Sequence, residues 1–171
     1  MNATVGPSMA FAPFKDILQV AYVTPNLEAA IAAWSTGFGI SQYMRLPDLA
    51  VDVGVSAPAI LSIALAWVGT VQLELIEPRG GQDGIFRDWL SGSNAVMRFH
   101  HIARLIADER EFERFEAEVA RVGAKVAVRG RNGDQTRYLY TDHVAELGHY
   151  VEHIWYGDEV RQAVFAHIPR N

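Results

Sequence analysis

The 171-residue sequence contains no cysteine. Disulfides, thiolate metal sites and a cysteine nucleophile are therefore excluded, and any metal is left to His, Glu, Asp, Gln or Asn. No apolar run approaches the roughly 20 residues that span a bilayer. The opening MNATVGPSMAFAPF lacks the basic start and sustained apolar stretch of a secretory signal and reads as a lead-in segment. Basic residues are in the minority, 15 Lys and Arg against 20 Asp and Glu for a net charge of −5, and they are scattered. That balance argues against nucleic acid or an anionic membrane as a main partner. A soluble, cytoplasmic protein is expected. What is present is an ordinary globular composition, 50% hydrophobic and 20% charged. A chain this long buries roughly 70% of its unfolded surface on folding and needs no staple.

Two halves carry the same pattern. ILQVAYVT (17–24) is a buried strand stopped by Pro25, and Asn26 caps a helix in which Leu27, Ala30, Ile31 and Trp34 share a face up to Gly37 and Gly39. ISQYMRL (40–46) is a second strand closed by Pro47 and Asp48. ILSIALAWVG (60–69) and TVQLELIEP (70–78) form an antiparallel pair around Gly69. After a glycine-rich loop with a short helical segment, GIFRDWL, the order restarts. RFHHIARLIA is a strand, and Asp108 with Glu111 opens a helix whose Phe112, Phe115, Val119 and Val122 lie on one face. AKVAVRG, TRYLYTD and GHYVEHIWY supply three more strands. The chain is an α+β protein of two βαβββ modules, 16–79 and 97–156, with a lead-in (1–15), a connecting loop (80–96) and a tail (157–171) that holds one further helix.

The repeat puts Gln19 and His101 on the first strands of the halves and Glu74 and Glu152 on the last, at nearly one offset of about 80 residues. All four side chains can bind a metal. Leu73 and Leu75 flank Glu74 on the opposite face of its strand, as Val151 and His153 flank Glu152. A mid-strand carboxylate is costly to bury unless paired or bound to a cation, so each glutamate is either solvent-facing or partnered. His100 and His101 are neighbours on one strand and are expected to point to opposite faces.

The stretches QVAYVTPNLEAAIAAW, LELIEP, FHHIARLIAD and GHYVEHI, in this order and covering roughly residues 16 to 156, resemble the vicinal oxygen chelate superfamily. That group includes glyoxalase I, methylmalonyl-CoA epimerase, extradiol dioxygenases and bleomycin-resistance proteins. The resemblance implies paired βαβββ modules forming a half-barrel around one divalent metal (Zn, Ni, Co, Mn or Fe) held by Gln19, Glu74, His101 and Glu152. It places His101 in the cleft and His100 on the other face, toward helix or solvent.

The resemblance further implies a glyoxalase-type lyase or isomerase/epimerase. In this chemistry the metal stabilises an enediolate of a small carbonyl substrate and a glutamate takes the neighbouring proton. Glu152 is the preferred base, with Glu74 the other carboxylate. Gln19 stands where epimerases and dioxygenases have a histidine, and no counterpart of the epimerases' acidic segment is visible. A non-catalytic, bleomycin-resistance-like binder and a ring-cleaving dioxygenase are the alternatives. Strand phase from Glu74 puts Ile63, Leu65 and Trp67 in the pocket, and analogy with glyoxalase I adds Arg137 and Leu139. Phe86 and Trp89 sit on a loop that either covers the site or plugs the gap between modules. His149 and His153 are read as surface residues or outer neighbours of the site, and His167 carries no signal. A small-molecule substrate and a homodimer are expected.

Overall fold

The computed structural model describes residues 16–171. The lead-in at 1–15 lies outside the described residues. Module one comprises β1 (Ile17–Val23), α1 (Leu27–Phe38), β2 (Met44–Val51), β3 (Ala59–Val68) and β4 (Val71–Gly81). A short helix α2 (Gly84–Arg87), continued by a 3₁₀ turn (Asp88–Leu90), leads into module two. That module comprises β5 (Arg98–Leu105), α3 (Glu109–Val122), β6 (Val126–Arg131), β7 (Thr136–His143), the one-turn α4 (Val144–Leu147) and β8 (His149–Tyr156). The tail folds into α5 (Asp158–His167).

Local chemistry sets these boundaries. The Asn26 side chain accepts the Ala29 N–H at 2.9 Å and starts α1, and Asp108 accepts from Glu111 N–H to start α3. Both helices end on glycines in the left-handed region, Gly39 and Gly123. β2 differs from the expectation, since it runs through Pro47 and Asp48 instead of stopping there. It lies at the edge of the sheet, where proline's missing N–H costs no ladder bond, and a register shift between Leu46 and Leu49 takes both residues out of the pairing.

The eight strands form one curled sheet in the order β2-β3-β4-β1-β5-β8-β7-β6. β1 and β5 pair antiparallel at its centre, and each pairs in parallel with the last strand of its own module. The four central strands, β4, β1, β5 and β8, are therefore those that carry Glu74, Gln19, His101 and Glu152. α1 covers the convex face of module one with Leu27, Ala30 and Ile31 against Leu73 and Leu75, and α3 covers module two with Phe112, Phe115 and Val119 against Leu139 and Trp155.

Two contacts turn the half-barrel into a closed-sided pocket. The sheet's ends meet where the Tyr138 hydroxyl donates to the Asp52 carbonyl at 2.6 Å and Arg131 N–H donates to the Asp52 carboxylate at 3.2 Å. Gly130 permits that approach, because a Cβ there would lie 2.3 Å from the Asp52 carbonyl oxygen. On the other side α5 lays Phe165 edge-on against Trp67, and the chain end bonds to both backbone groups of Trp67 through Pro169 and Asn171. No helix among the described residues is long and apolar enough to cross a membrane.

Candidate functional site

Strand alternation aims Gln72, Glu74 and Ile76 of β4 into the concave side, since Leu73 and Leu75 are taken by α1. On β8 the same alternation aims Glu152, Ile154 and Tyr156 inward. The sheet's curvature brings the two carboxylates together over His101. His101 Nε2 lies 3.2 Å from Glu152 Oε2 and 3.5 Å from Glu74 Oε2, with the imidazole fully buried. This buried nitrogen completes no hydrogen bond with either carboxylate. Gln19, on the strand between, opens into the same cavity of about 510 Å³.

Burial and charge compete here. Desolvation pulls the His101 imidazole down, but the contacts with Glu152 and Glu74 outweigh it and leave the group raised to about 9. Burial holds the Glu74 carboxyl above its ordinary value, His101 partly offsets this, and the Glu152 charge adds to it. The buried Tyr140 hydroxyl, on the strand position opposite Glu152, is pushed well up by desolvation and by the two carboxylates.

Several placements depart from the sequence expectations. His100 is not on the opposite face from His101. The β1–β5 register runs Ala21 to His101 and then Tyr22 to Phe99, leaving His100 as the extra residue of a β-bulge. Its ring swings to the concave side, fully buried, with Nδ1 at 2.8 Å from Nδ1 of His101.

Arg137 and Leu139 point away from the pocket. Tyr140 sits opposite Glu152 in the β7–β8 register, so Tyr138 and Tyr140 face inward. Leu139 packs under α3, while Arg137 pairs with Glu116 and lies over the Phe112 ring at 4.9 Å. The phase borrowed by analogy is off by one residue.

Ile63, Leu65 and Phe86 do line the cavity. Trp67 shares their face but is covered by α5, and Trp89 donates to the Phe99 carbonyl at 2.6 Å and packs on His100. His153 is no surface residue; it is wholly buried beneath α3.

Gln72 escaped the sequence reading although it stands in phase with Glu74. It is 2% exposed, lines the cavity, and its amide Nε2 has no partner. Tyr156, in phase with Glu152, likewise lines the cavity and was not singled out from the sequence.

The family model described as "Glyoxalase/Bleomycin resistance protein/Dioxygenase superfamily" matches residues 18–140. The chain belongs to this superfamily. No curated protein matches it. Solved superfamily folds do. A Streptomyces coelicolor methylmalonyl-CoA epimerase variant, in complex with 2-nitronate-propionyl-CoA, is 17% identical with a TM-score of 0.54, over 81% of this chain and 95% of that one. The Mycobacterium tuberculosis methylmalonyl-CoA epimerase is 11% identical with a TM-score of 0.58, over 86% and 91%. A hypothetical protein from Bacillus halodurans C-125 is 14% identical with a TM-score of 0.54, over 81% and 91%. At these identities the likeness is one of fold: paired βαβββ modules in the vicinal oxygen chelate arrangement.

Proposed function

We propose that this superfamily member is a divalent-metal-dependent isomerase, epimerase or lyase that removes a proton beside the carbonyl of a small molecule. The observation that carries the reading is the unpartnered, buried Nε2 of His101 between two carboxylates. Among the described residues no group of three or more His, Asp or Glu has closed to metal-binding spacing. The donor set nevertheless fits such an ion. Ligands about 2.1 Å from a metal stand roughly 3.0–3.4 Å from one another, close to the 3.2 and 3.5 Å that separate His101 Nε2 from the Glu152 and Glu74 oxygens. Two carboxylates also match a divalent charge better than they match one imidazolium. Gln19, Glu74, His101 and Glu152 would hold the ion, and oxygen and imidazole ligands suit zinc, nickel, cobalt, manganese or iron. When bound, the metal supplies Lewis acidity toward a substrate oxygen.

The chain's own residues divide the remaining work. Glu152 accepts the α-proton on its carboxylate, with Tyr140 paired opposite it on the neighbouring strand. Gln72 offers an amide N–H to a substrate oxygen, which would satisfy the donor the free protein leaves orphaned. Ile63, Leu65 and Ile76 exclude water from the reacting carbon and strengthen each of these electrostatic contacts.

The test is exchange of a substrate α-proton with deuterated water, with and without added metal, across thiohemiacetals, 2-methylacyl thioesters and hydroxyketones. Metal analysis of protein purified without added metal accompanies it. Metal-dependent exchange with one class supports the reading. Tight ligand binding with no exchange would make the protein a binding module, and oxygen uptake with a catechol would make it a dioxygenase.

A further inference from the structure

We infer that His100 is a positioning residue for His101, fixing the ring tautomer that turns the Nε2 lone pair toward Glu74 and Glu152. The inference deepens the reading of His101 as a metal ligand and rests on it for its functional meaning. Its geometry stands by itself.

The bulge in β5 places both imidazoles on the concave side, and their contact is nitrogen to nitrogen. Two nitrogens 2.8 Å apart need one hydrogen between them. Which ring supplies it follows from the far end of the chain of bonds. His100 Nε2 lies 3.1 Å from the backbone carbonyl of Ile85, and a carbonyl can only accept. The hydrogen therefore sits on His100 Nε2. A neutral imidazole carries only one, so His100 Nδ1 is bare and accepts from Nδ1–H of His101. His101 Nε2 is then the nitrogen left to bind a cation.

The surroundings keep His100 neutral and in place. It is fully buried, with Phe86 stacked on it at 5.1 Å, the Trp89 edge at 5.4 Å and Tyr150 at 5.1 Å. Enclosed among these rings and cut off from water, the imidazole is disfavoured in its charged form. Ile85 and Phe86 both belong to α2, which Asp83 anchors by accepting a hydrogen bond from Arg87 Nε at 2.9 Å. The segment between the modules thus stands behind the candidate ligand, not over the cavity as a lid. A hydrogen-bonded partner on the second nitrogen is the usual way a protein orients a ligating imidazole. Here that partner is another histidine.

Two substitutions separate ring packing from hydrogen bonding. His100→Phe keeps an aromatic ring between Phe86 and Trp89 but offers no acceptor. His100→Asn loses ring area but retains a side-chain oxygen near the place of Nδ1. Zinc titration by calorimetry on the full chain should show His100→Phe binding about 10- to 100-fold more weakly than the parent, the usual cost of losing an outer partner. His100→Asn should recover most of the difference. Nitrogen-15 imidazole spectra of the zinc-loaded protein, and of metal-free protein above pH 10, should both show the His101 hydrogen on Nδ1. Zinc affinity unchanged in His100→Phe, or a bare Nδ1 on His101 in either spectrum, would overturn the assignment. If the parent binds no zinc at all, the metal reading fails separately. The alkaline metal-free spectrum then decides the tautomer by itself.

Discussion

His101 on β5 and His153 on β8 are both wholly buried and stand on paired strands, yet they finish differently. His153 lies on the convex side beneath α3, its ring 4.1 Å from Phe115. Its Nδ1 faces Arg104 at 3.5 Å, and its Nε2 donates to the Thr141 hydroxyl at 3.2 Å. That hydroxyl donates in turn to the Val151 carbonyl and also meets His143 at 3.0 Å. Both ring nitrogens of His153 thus have a partner. On the concave side His101 keeps one nitrogen bound to His100 and leaves the other among carboxylates without a hydrogen bond. Burial is equal on the two faces, so burial does not mark the site. An incomplete polar cluster opening on a cavity does.

The largest effect that would break this contrast is on turnover. Glu152 and His153 are adjacent and point to opposite faces, so one-residue steps test the two faces separately. Glu152→Gln should lose on the order of a hundredfold or more in α-proton exchange, as removal of a general base typically does, while retaining some metal. His153→Gln should leave exchange within a few-fold of the parent in folded protein. Equal losses would mean that the carboxylate acts through stability, not as a base.

How far the sequence carried each face follows the same division. Apolar periodicity in α1 and α3, their asparagine and aspartate caps and the repeat spacing were all legible, because each is a local rule. Glu74 and Glu152 were legible too, since flanking leucine or valine settled their phase within one strand. What failed was non-local. The bulge at His100 comes from the pairing register of β1 with β5, and alternation within β5 cannot reveal it. TRYLYTD permits either Tyr138 and Tyr140 or Arg137 and Leu139 to face the pocket, and only its register against β8 chooses. The role of the tail depended on α5 closing over Trp67, a contact between residues about a hundred positions apart.

A smaller effect, of opposite sign on the two faces, concerns stability. Thr141→Val removes the acceptor for His153 and His143 and should cost about 1–3 kcal/mol, the penalty for stranding buried donors. Gln72→Leu removes an amide already stranded and should be neutral or stabilising by about 1 kcal/mol, at the expense of turnover. Urea midpoints at unchanged slope would measure both. Destabilisation by Gln72→Leu equal to that of Thr141→Val would show that the Gln72 amide is satisfied in the folded protein.

The smallest effect per step is the pH dependence of the metal-free protein, where the two histidines act in opposite directions. His101 is raised to about 9, from an unfolded value near 6.5. Its contribution is complete below about pH 6.5 and is lost as pH climbs toward 9, because the folded state holds a proton that the unfolded chain has released. His153 is lowered well below its ordinary value, by burial first and then by the Arg104 charge. Its contribution is complete above about pH 6.5 and is lost as pH falls further, because the unfolded chain takes up a proton that the buried ring refuses. Each limb changes by at most about 1.4 kcal/mol per pH unit for one proton. Urea unfolding in the presence of a chelator, from pH 5.5 to 9, should therefore give a maximum near pH 6.5. His101→Gln should flatten the alkaline limb, and His153→Gln should reduce the acid limb without abolishing it, since His100 is also buried with a lowered value. Stability that instead rises steadily from pH 6.5 to 9 would mean that Glu74 and Glu152 do not hold a proton on His101, and the pairing at the centre of the site would have to be redrawn.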